Sequence, residues 1–268
     1  MLFLLRKIRK KLMEKNRFTT YLLYAIGEII LVVIGILIAV NINNWNQNKK
    51  RSALKEQLLA ELVDELQYNI DRLQTLDNYS SISSYSVKAI DSLNKIRVEL
   101  FNHGLDSAEI PKLFVGPIAR FNAYNLNTFA FEQLKETGVL NELNPLLKSE
   151  IRNYYLYIKK QWYYIEIDYP RYRRSQEQLK YGFFQLKRDY FEDSTTYLSK
   201  HPWIFDTHSE KYSDLKYYIE LFSYTIRNSR QRAFGIIEES QKLKELLLRQ
   251  NPNLEENAEE AAGKINSP

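Results

Sequence analysis

Residues 21–40, YLLYAIGEIILVVIGILIAV, form twenty consecutive positions carrying a single charge, Glu28. At 1.5 Å rise per residue a helix of that length spans about 30 Å, the thickness of a bilayer's hydrocarbon core. No later stretch approaches it, so the sequence predicts one transmembrane helix, bounded at residues 21–42. A secretory signal peptide has a shorter apolar stretch and a small-residue cleavage site. Here the run ends in Ile38-Ala39-Val40-Asn41-Ile42 with no such site, so the segment is expected to remain as a signal anchor.

Upstream, residues 1–20 carry Arg6, Lys7, Arg9, Lys10, Lys11, Lys15 and Arg17 against Glu14, a net of +6. The whole chain is +5, so everything after residue 20 sums to −1. The basic character therefore belongs to the membrane flank, and no nucleic-acid partner is expected. Leu4, Ile8 and Leu12 recur at helical spacing among these cations. They suit an amphipathic helix lying on an anionic leaflet; a flank that only sets topology is the equal alternative. Seven cations precede the span, while Lys49, Lys50, Arg51 and Lys55 follow it. That asymmetry puts the N-terminus in the cytoplasm and the chain from about residue 45 outside, in the periplasm of a Gram-negative cell. Tyr21 and Tyr24 at one end and Trp45 at the other fall where interfacial aromatics anchor a span.

Glu28 lies close to the middle of the span, where an ionised carboxylate is strongly disfavoured. Val32, Gly35, Ala39 and Asn43 follow on the same helical face, and Gly35 with Ala39 makes a small-xxx-small pair that lets helices approach closely. Three roles compete for Glu28. As a protonated group it can hydrogen-bond across a self-associating helix pair or to Tyr24; it can relay a proton or ion; or it can meet a Lys or Arg of a partner subunit. The partners expected on these grounds are the lipid bilayer and either a second copy of the chain or another membrane protein.

The segments Tyr24-Ala25-Ile26-Gly27-Glu28-Ile29, Val32-Val33-Ile34-Gly35-Ile36-Leu37-Ile38-Ala39 and Ile42-Asn43-Asn44-Trp45-Asn46 resemble a family of uncharacterised membrane proteins common in Bacteroidota, classed as a domain of unknown function. The resemblance is specific over roughly residues 3–50 and weaker in the body. It implies an inner-membrane protein with an N-terminal anchor, and it brings no activity, substrate or cofactor.

Beyond the anchor, Leu59, Val63, Leu66, Ile70 and Leu73 alternate at spacings of four and three, a helical seam continuing from the membrane helix. Ala89, Leu93 and Ile96 predict a second helix over residues 82–100, ended by His103-Gly104. Pro111, Gly116 and Pro117 interrupt residues 105–126, which read as an irregular crossover with at most one short helix. Asn127-Thr128 is expected to cap a short helix that Gly138 stops. Ile151, Tyr155, Ile158, Trp162, Ile165, Tyr169, Tyr172, Leu179, Phe183, Leu186 and Tyr190 keep one register, with a kink or break expected at Pro170. Leu215, Ile219, Phe222, Ile226, Ala233, Ile236, Leu243 and Leu247 predict a long final helix. The class is all-α: one transmembrane helix, then an antiparallel four- to five-helix bundle with coiled-coil character over residues 43–250, and a disordered acidic tail over 251–268.

Nothing in the sequence assembles a catalytic group. Cysteine is absent, and His103, His201 and His208 recur in no metal-ligand pattern. Glu-x-x-His, His-Glu-x-x-His, Gly-x-Ser-x-Gly and a glycine-rich phosphate loop are all missing. Asp206-x-His208-x-Glu210 reads as a solvated loop in preference to a cation site. The dense aromatics Tyr154, Tyr155, Tyr157, Trp162, Tyr163, Tyr164, Tyr169, Tyr172 and Tyr181 suit either a ligand groove or a wide bundle core, and core packing is the preferred reading. The chain is expected to bind rather than catalyse, as a scaffold, accessory or sensor-like module with no metal or cofactor; the alternative is an accessory subunit of an ion-driven or transport complex.

Overall fold

The computed structural model describes residues 17–78, 86–117 and 126–254. Among these residues there are eight α-helices, two 3-10 turns and no strand, so the fold is all-α. In chain order the helices are α1 (Arg17–Asn78), α2 (Val87–His103), α3 (Ile110–Leu113), α4 (Phe129–Glu136), α5 (Pro145–Tyr181), α6 (Phe183–Glu192), α7 (Tyr197–Lys200) and α8 (Glu210–Gln250). The 3-10 turns Val139–Glu142 and Pro202–Phe205 precede α5 and α8. Six of the seven basic topology residues, the start proposed for the second helix at Ile82, and the tail from residue 255 lie outside the described residues.

The chain divides into two units, Met1–Gln57 and Leu58–Pro268. The first holds the apolar part of α1. Every residue from 21 to 50 is exposed, and a side chain added at Gly27 or Gly35 would meet nothing within 4 Å. Among the described residues this is the one helix long and apolar enough to cross a membrane. In lipid such a helix satisfies its own backbone hydrogen bonds.

In the second unit α8 is the spine. Ser209 caps it by accepting from the Tyr212 N–H at 3.2 Å, and all eight positions of its expected seam are buried. Helices α2 and α5 pack along it. Asn144 at the start of α5 bonds Gln250 at 2.8 Å, and Tyr154 bonds Ser240 at 2.7 Å, so α5 runs antiparallel to α8. In α1, Gln67 meets Lys244 and Asp77 meets Arg230; in α2, Asp91 meets Arg230 and Phe101 meets Tyr212. Both helices therefore oppose α8, and they follow one another along it with Arg230 at the join. The far half of α8 closes on an aromatic-rich core: Phe101 of α2, Leu113 of α3, Phe183 and Leu186 of α6, with Ile219 and Phe222.

The α1 seam of Leu59, Val63, Leu66, Ile70 and Leu73 is buried as expected. Gly104 and Gly138 take positive φ, 81° and 75°, and stand where α2 and α4 end. Helix α2 departs from the expectation. Its buried face is Val87, Ile90, Asp91, Asn94, Arg97 and Phe101, whereas Ala89 and Leu93 are half-buried and Ile96 is exposed. The hydrophobic pattern misplaced the register because three inward positions are polar: Asp91 pairs with Arg230, Arg97 with the carbonyls of residues 113–117, and Asn94 accepts from Arg97. Pro170 does not end α5, which continues to Tyr181; the break comes at Gly182, where the backbone is free to leave the helix. At the C-terminal end Leu254 is still buried, so packing persists past residue 250.

Candidate functional site

A buried polar network in the bundle gathers on Glu65 of α1, which is 3% exposed. One carboxylate oxygen accepts from the Tyr155 hydroxyl of α5, the other from the Ala130 N–H of α4 at 2.7 Å. One turn on, Asn69 donates to the Asn127 carbonyl and accepts from the Asn127 N–H, both at 2.8 Å. Thr128 makes no side-chain cap. The N-terminus of α4 is instead held by Asn127, which accepts from Phe129 N–H at 3.1 Å, and by Glu65 from another helix. An anion there also faces the positive end of the helix dipole.

Burial pushes the Glu65 carboxyl up to about 6, against the pull of its hydrogen bonds from Tyr155 and Ala130. The same burial, together with the nearby carboxylate, drives the Tyr155 hydroxyl far upward, and burial lifts Tyr154 to about 12. Tyr154 donates to Ser240, whose own hydroxyl donates to the Ile236 carbonyl at 2.7 Å.

Above this network lies a groove of about 750 Å³ between α4 and α5. The Phe131 ring stacks on Tyr155 at 3.8 Å and 4° between planes. Leu140, Leu156, Ile158 and Trp162 extend the apolar lining, and Lys135, Arg152 and Lys159 stand at it with Glu132. Lys135 is paired with Glu132 at 2.7 Å and lies over the Phe131 ring. Of the aromatic cluster read from sequence, Tyr154 and Tyr155 are buried, Tyr155 and Trp162 line the groove, and Tyr163 and Tyr164 are exposed outside it; the side chains of Tyr169, Tyr172 and Tyr181 lie outside the described residues.

Three further polar groups were not foreseen. Arg97, 1% exposed, donates to the carbonyls of Leu113, Val115, Gly116 and Pro117 and to Asn94. Arg230 grips Asp77 through two contacts, 2.6 and 3.1 Å, and Asp91 at 2.9 Å. His201 accepts from Trp203 on Nδ1 and donates from Nε2 to Asp189 at 2.7 Å, so both ring nitrogens are occupied. That bond holds the Asp189 carboxyl below the usual range. Asp206 accepts from the His208 N–H in a turn, and no group of three or more His, Asp or Glu is placed to hold a metal among the described residues.

Glu28, Val32, Gly35, Ala39 and Asn43 share one exposed face of α1, and Tyr21, Tyr24 and Trp45 are exposed near the ends of the span. Lys49 sits 5.8 Å from the Trp45 ring centroid.

Residues 28–180 match the family described as Family of unknown function (DUF6090), more than half of the chain. The chain belongs to this family. The DUF6090 match starts at Glu28 and reaches Lys180, so it extends much further into the body than the anchor motif that first suggested a resemblance. It takes in Glu65, Asn69, the groove-lining parts of α4 and α5, and Arg97, and leaves out α6, α7 and α8. No curated protein and no solved structure matches the chain.

Proposed function

We infer that this DUF6090 protein is a single-pass inner-membrane protein whose helical unit works by binding, as a periplasmic interaction module of scaffold, accessory or sensor-like type. The observation that carries the anchor is the span itself: every side chain from Tyr21 to Ile42 is exposed, and an apolar surface of that length is stable only when lipid or another apolar surface covers it. Binding in preference to turnover is supported by Glu65, Asn69, Arg97 and Arg230, whose polar groups are spent on backbone segments or neighbouring helices. The Lys and Arg excess before the span supports a cytoplasmic N-terminus.

The chain has no cysteine, so one introduced thiol reports topology without a background. Ser107→Cys, at an exposed turn, is expected to react with a membrane-impermeant maleimide in cells whose outer membrane alone is permeabilised, while the protein stays in the membrane pellet through alkaline carbonate. Reaction only after lysis of the inner membrane overturns the orientation. Release by carbonate overturns the anchor.

A second reading has its own observation: Glu28 is the single ionisable side chain within residues 21–40 besides the two tyrosines, and it is exposed on α1. It makes the chain an accessory subunit of an ion-driven or transport complex. Crosslinking in native membranes separates the two. A polytopic partner captured by wild type and lost in Glu28→Gln supports the second reading; self-crosslinks identical in both forms support the first.

A further inference from the structure

Two charged side chains of α5 line the groove. Arg152 and Lys159 are exposed, two helical turns apart on one face, about 10 Å by helix rise. Neither has a carboxylate partner among the described residues, whereas Lys135 across the groove is neutralised by Glu132. Between them stands Leu156, 64% exposed, and beyond them Trp162, 38% exposed. Apolar side chains left in water beside uncompensated cations are what an amphiphile of opposite charge covers.

The floor has a matching polarity. Because the Tyr155 hydroxyl is committed to Glu65, this residue presents its ring, stacked under Phe131, to the groove. Glu65 beneath it disfavours a second anion at depth. A negative head group is therefore steered to the rim and an apolar chain to the interior. The volume, about 750 Å³, lies within the range of small-molecule sites. A neutral lipid leaves the two cations unused, and a free phosphate leaves the aromatic floor unused.

We propose that the groove between α4 and α5 binds a long-chain fatty-acid anion, its acyl chain on the Phe131–Tyr155 floor and its carboxylate at Arg152 and Lys159. The inference rests on the reading of the helical unit as a binding module. It does not depend on which side of the membrane that unit occupies.

The test uses the full chain in lipid nanodiscs with a diazirine-bearing palmitate, adducts being mapped by mass spectrometry. Fatty acid dissolved in the bilayer labels residues 21–42, which gives an internal reference; bound fatty acid labels residues 126–162. Removing both rim cations, Arg152→Gln with Lys159→Gln, is expected to lower the second adduct about fivefold relative to the first, from two exposed charge pairs. Leu156→Glu, at a position too exposed to unsettle the fold, is expected to lower it by about tenfold or more. Unlabelled palmitate competes, and its methyl ester does not. Labelling of the span with none at 126–162 overturns the proposal, as does labelling that both variants leave unchanged. Equal competition by the methyl ester removes the role of charge, and competition by a glutamate-rich helical peptide reassigns the groove to a protein partner; either result also overturns it. Labelling of the groove without the span upholds the ligand and refutes the anchor.

Discussion

Glu65 and Arg97 are both taken almost wholly out of water, at 3% and 1% exposure, and each binds a backbone segment far away in sequence. Arg97 sits in the half of the bundle around α2, α3 and α6. Together with Lys187, which donates to the Phe114 carbonyl at 3.1 Å, it takes up the five consecutive carbonyls from Leu113 to Pro117. Burial and the neighbouring Arg97 hold the Lys187 ammonium below its usual range. Glu65 sits in the other half and meets two donors, Ala130 and Tyr155. The contrast is chemical: a guanidinium keeps its charge at any pH the fold survives, while a carboxyl raised to about 6 changes state within a physiological range. One half of the bundle is fastened permanently, the other conditionally.

Breaking the permanent half has the largest expected effect. Arg97→Ala removes four charge-assisted hydrogen bonds to the carbonyls of Leu113, Val115, Gly116 and Pro117 and opens a cavity, and is expected to cost on the order of 4 kcal/mol. Denaturant unfolding of the full chain in detergent measures it. Hydrogen exchange is expected to rise first at residues 110–117. A loss below about 1 kcal/mol means that water replaces the side chain, and the claim of a buried fastening fails.

The conditional half separates two substitutions at one position. Glu65→Ala leaves the Ala130 N–H and the Tyr155 hydroxyl buried without acceptors and is expected to cost about 2–4 kcal/mol. Glu65→Gln keeps an oxygen for Ala130 and turns an N–H₂ toward the tyrosine oxygen, so a loss of about 1 kcal/mol or less is expected. Equal losses for both refute the hydrogen-bonded arrangement and leave only volume.

Legibility in the sequence follows the same division. The α8 and α1 seams were readable because their buried faces are apolar, and a period of 3.6 then reports burial directly. Helix α2 was not, since Asp91, Asn94 and Arg97 face inward and a polar residue carries no periodic signal of being buried. Glu65 adjoins the seam residue Leu66 and Asn69 adjoins Ile70, so both read as surface. Their partners are 58 to 90 residues away, beyond what any local pattern reports. The one available hint was their spacing of four, two polar groups on a common strip beside an apolar seam. The long apolar helix of residues 21–40 was legible because length and composition alone mark it, and Glu28 stood out for the same reason.

The pH dependence sharpens the comparison next. A carboxyl whose folded value lies above its ordinary 4.5 favours the protonated fold. The stability it adds is complete below about pH 4.5 and is lost as pH rises through about 6. The difference in melting temperature between wild type and Glu65→Gln, followed from pH 7.5 to 4.5, is expected to move in favour of wild type on acidification. Asp189 has the opposite sign, because its hydrogen bond from His201 lowers it below 3.8. Its contribution is present above that value and is lost only as pH falls beneath it, outside the window used. A flat difference curve refutes the raised value at Glu65.

Tyr155→Phe is the finest probe. It keeps the ring, so the stack with Phe131 and the groove floor persist, and it removes one hydroxyl from a buried carboxylate. Loss of one hydrogen bond to a charged group is expected to cost about 1–2 kcal/mol. Because that hydrogen bond pulls the Glu65 carboxyl down, its removal is expected to carry the midpoint of the pH profile above 6 and to widen the range over which the fold prefers the proton. A midpoint that moves down, or does not move, shows that Tyr155 does not donate to Glu65. The conditional fastening of α4 would then rest on the Ala130 N–H alone, and the tyrosine hydroxyl would be free to face the groove.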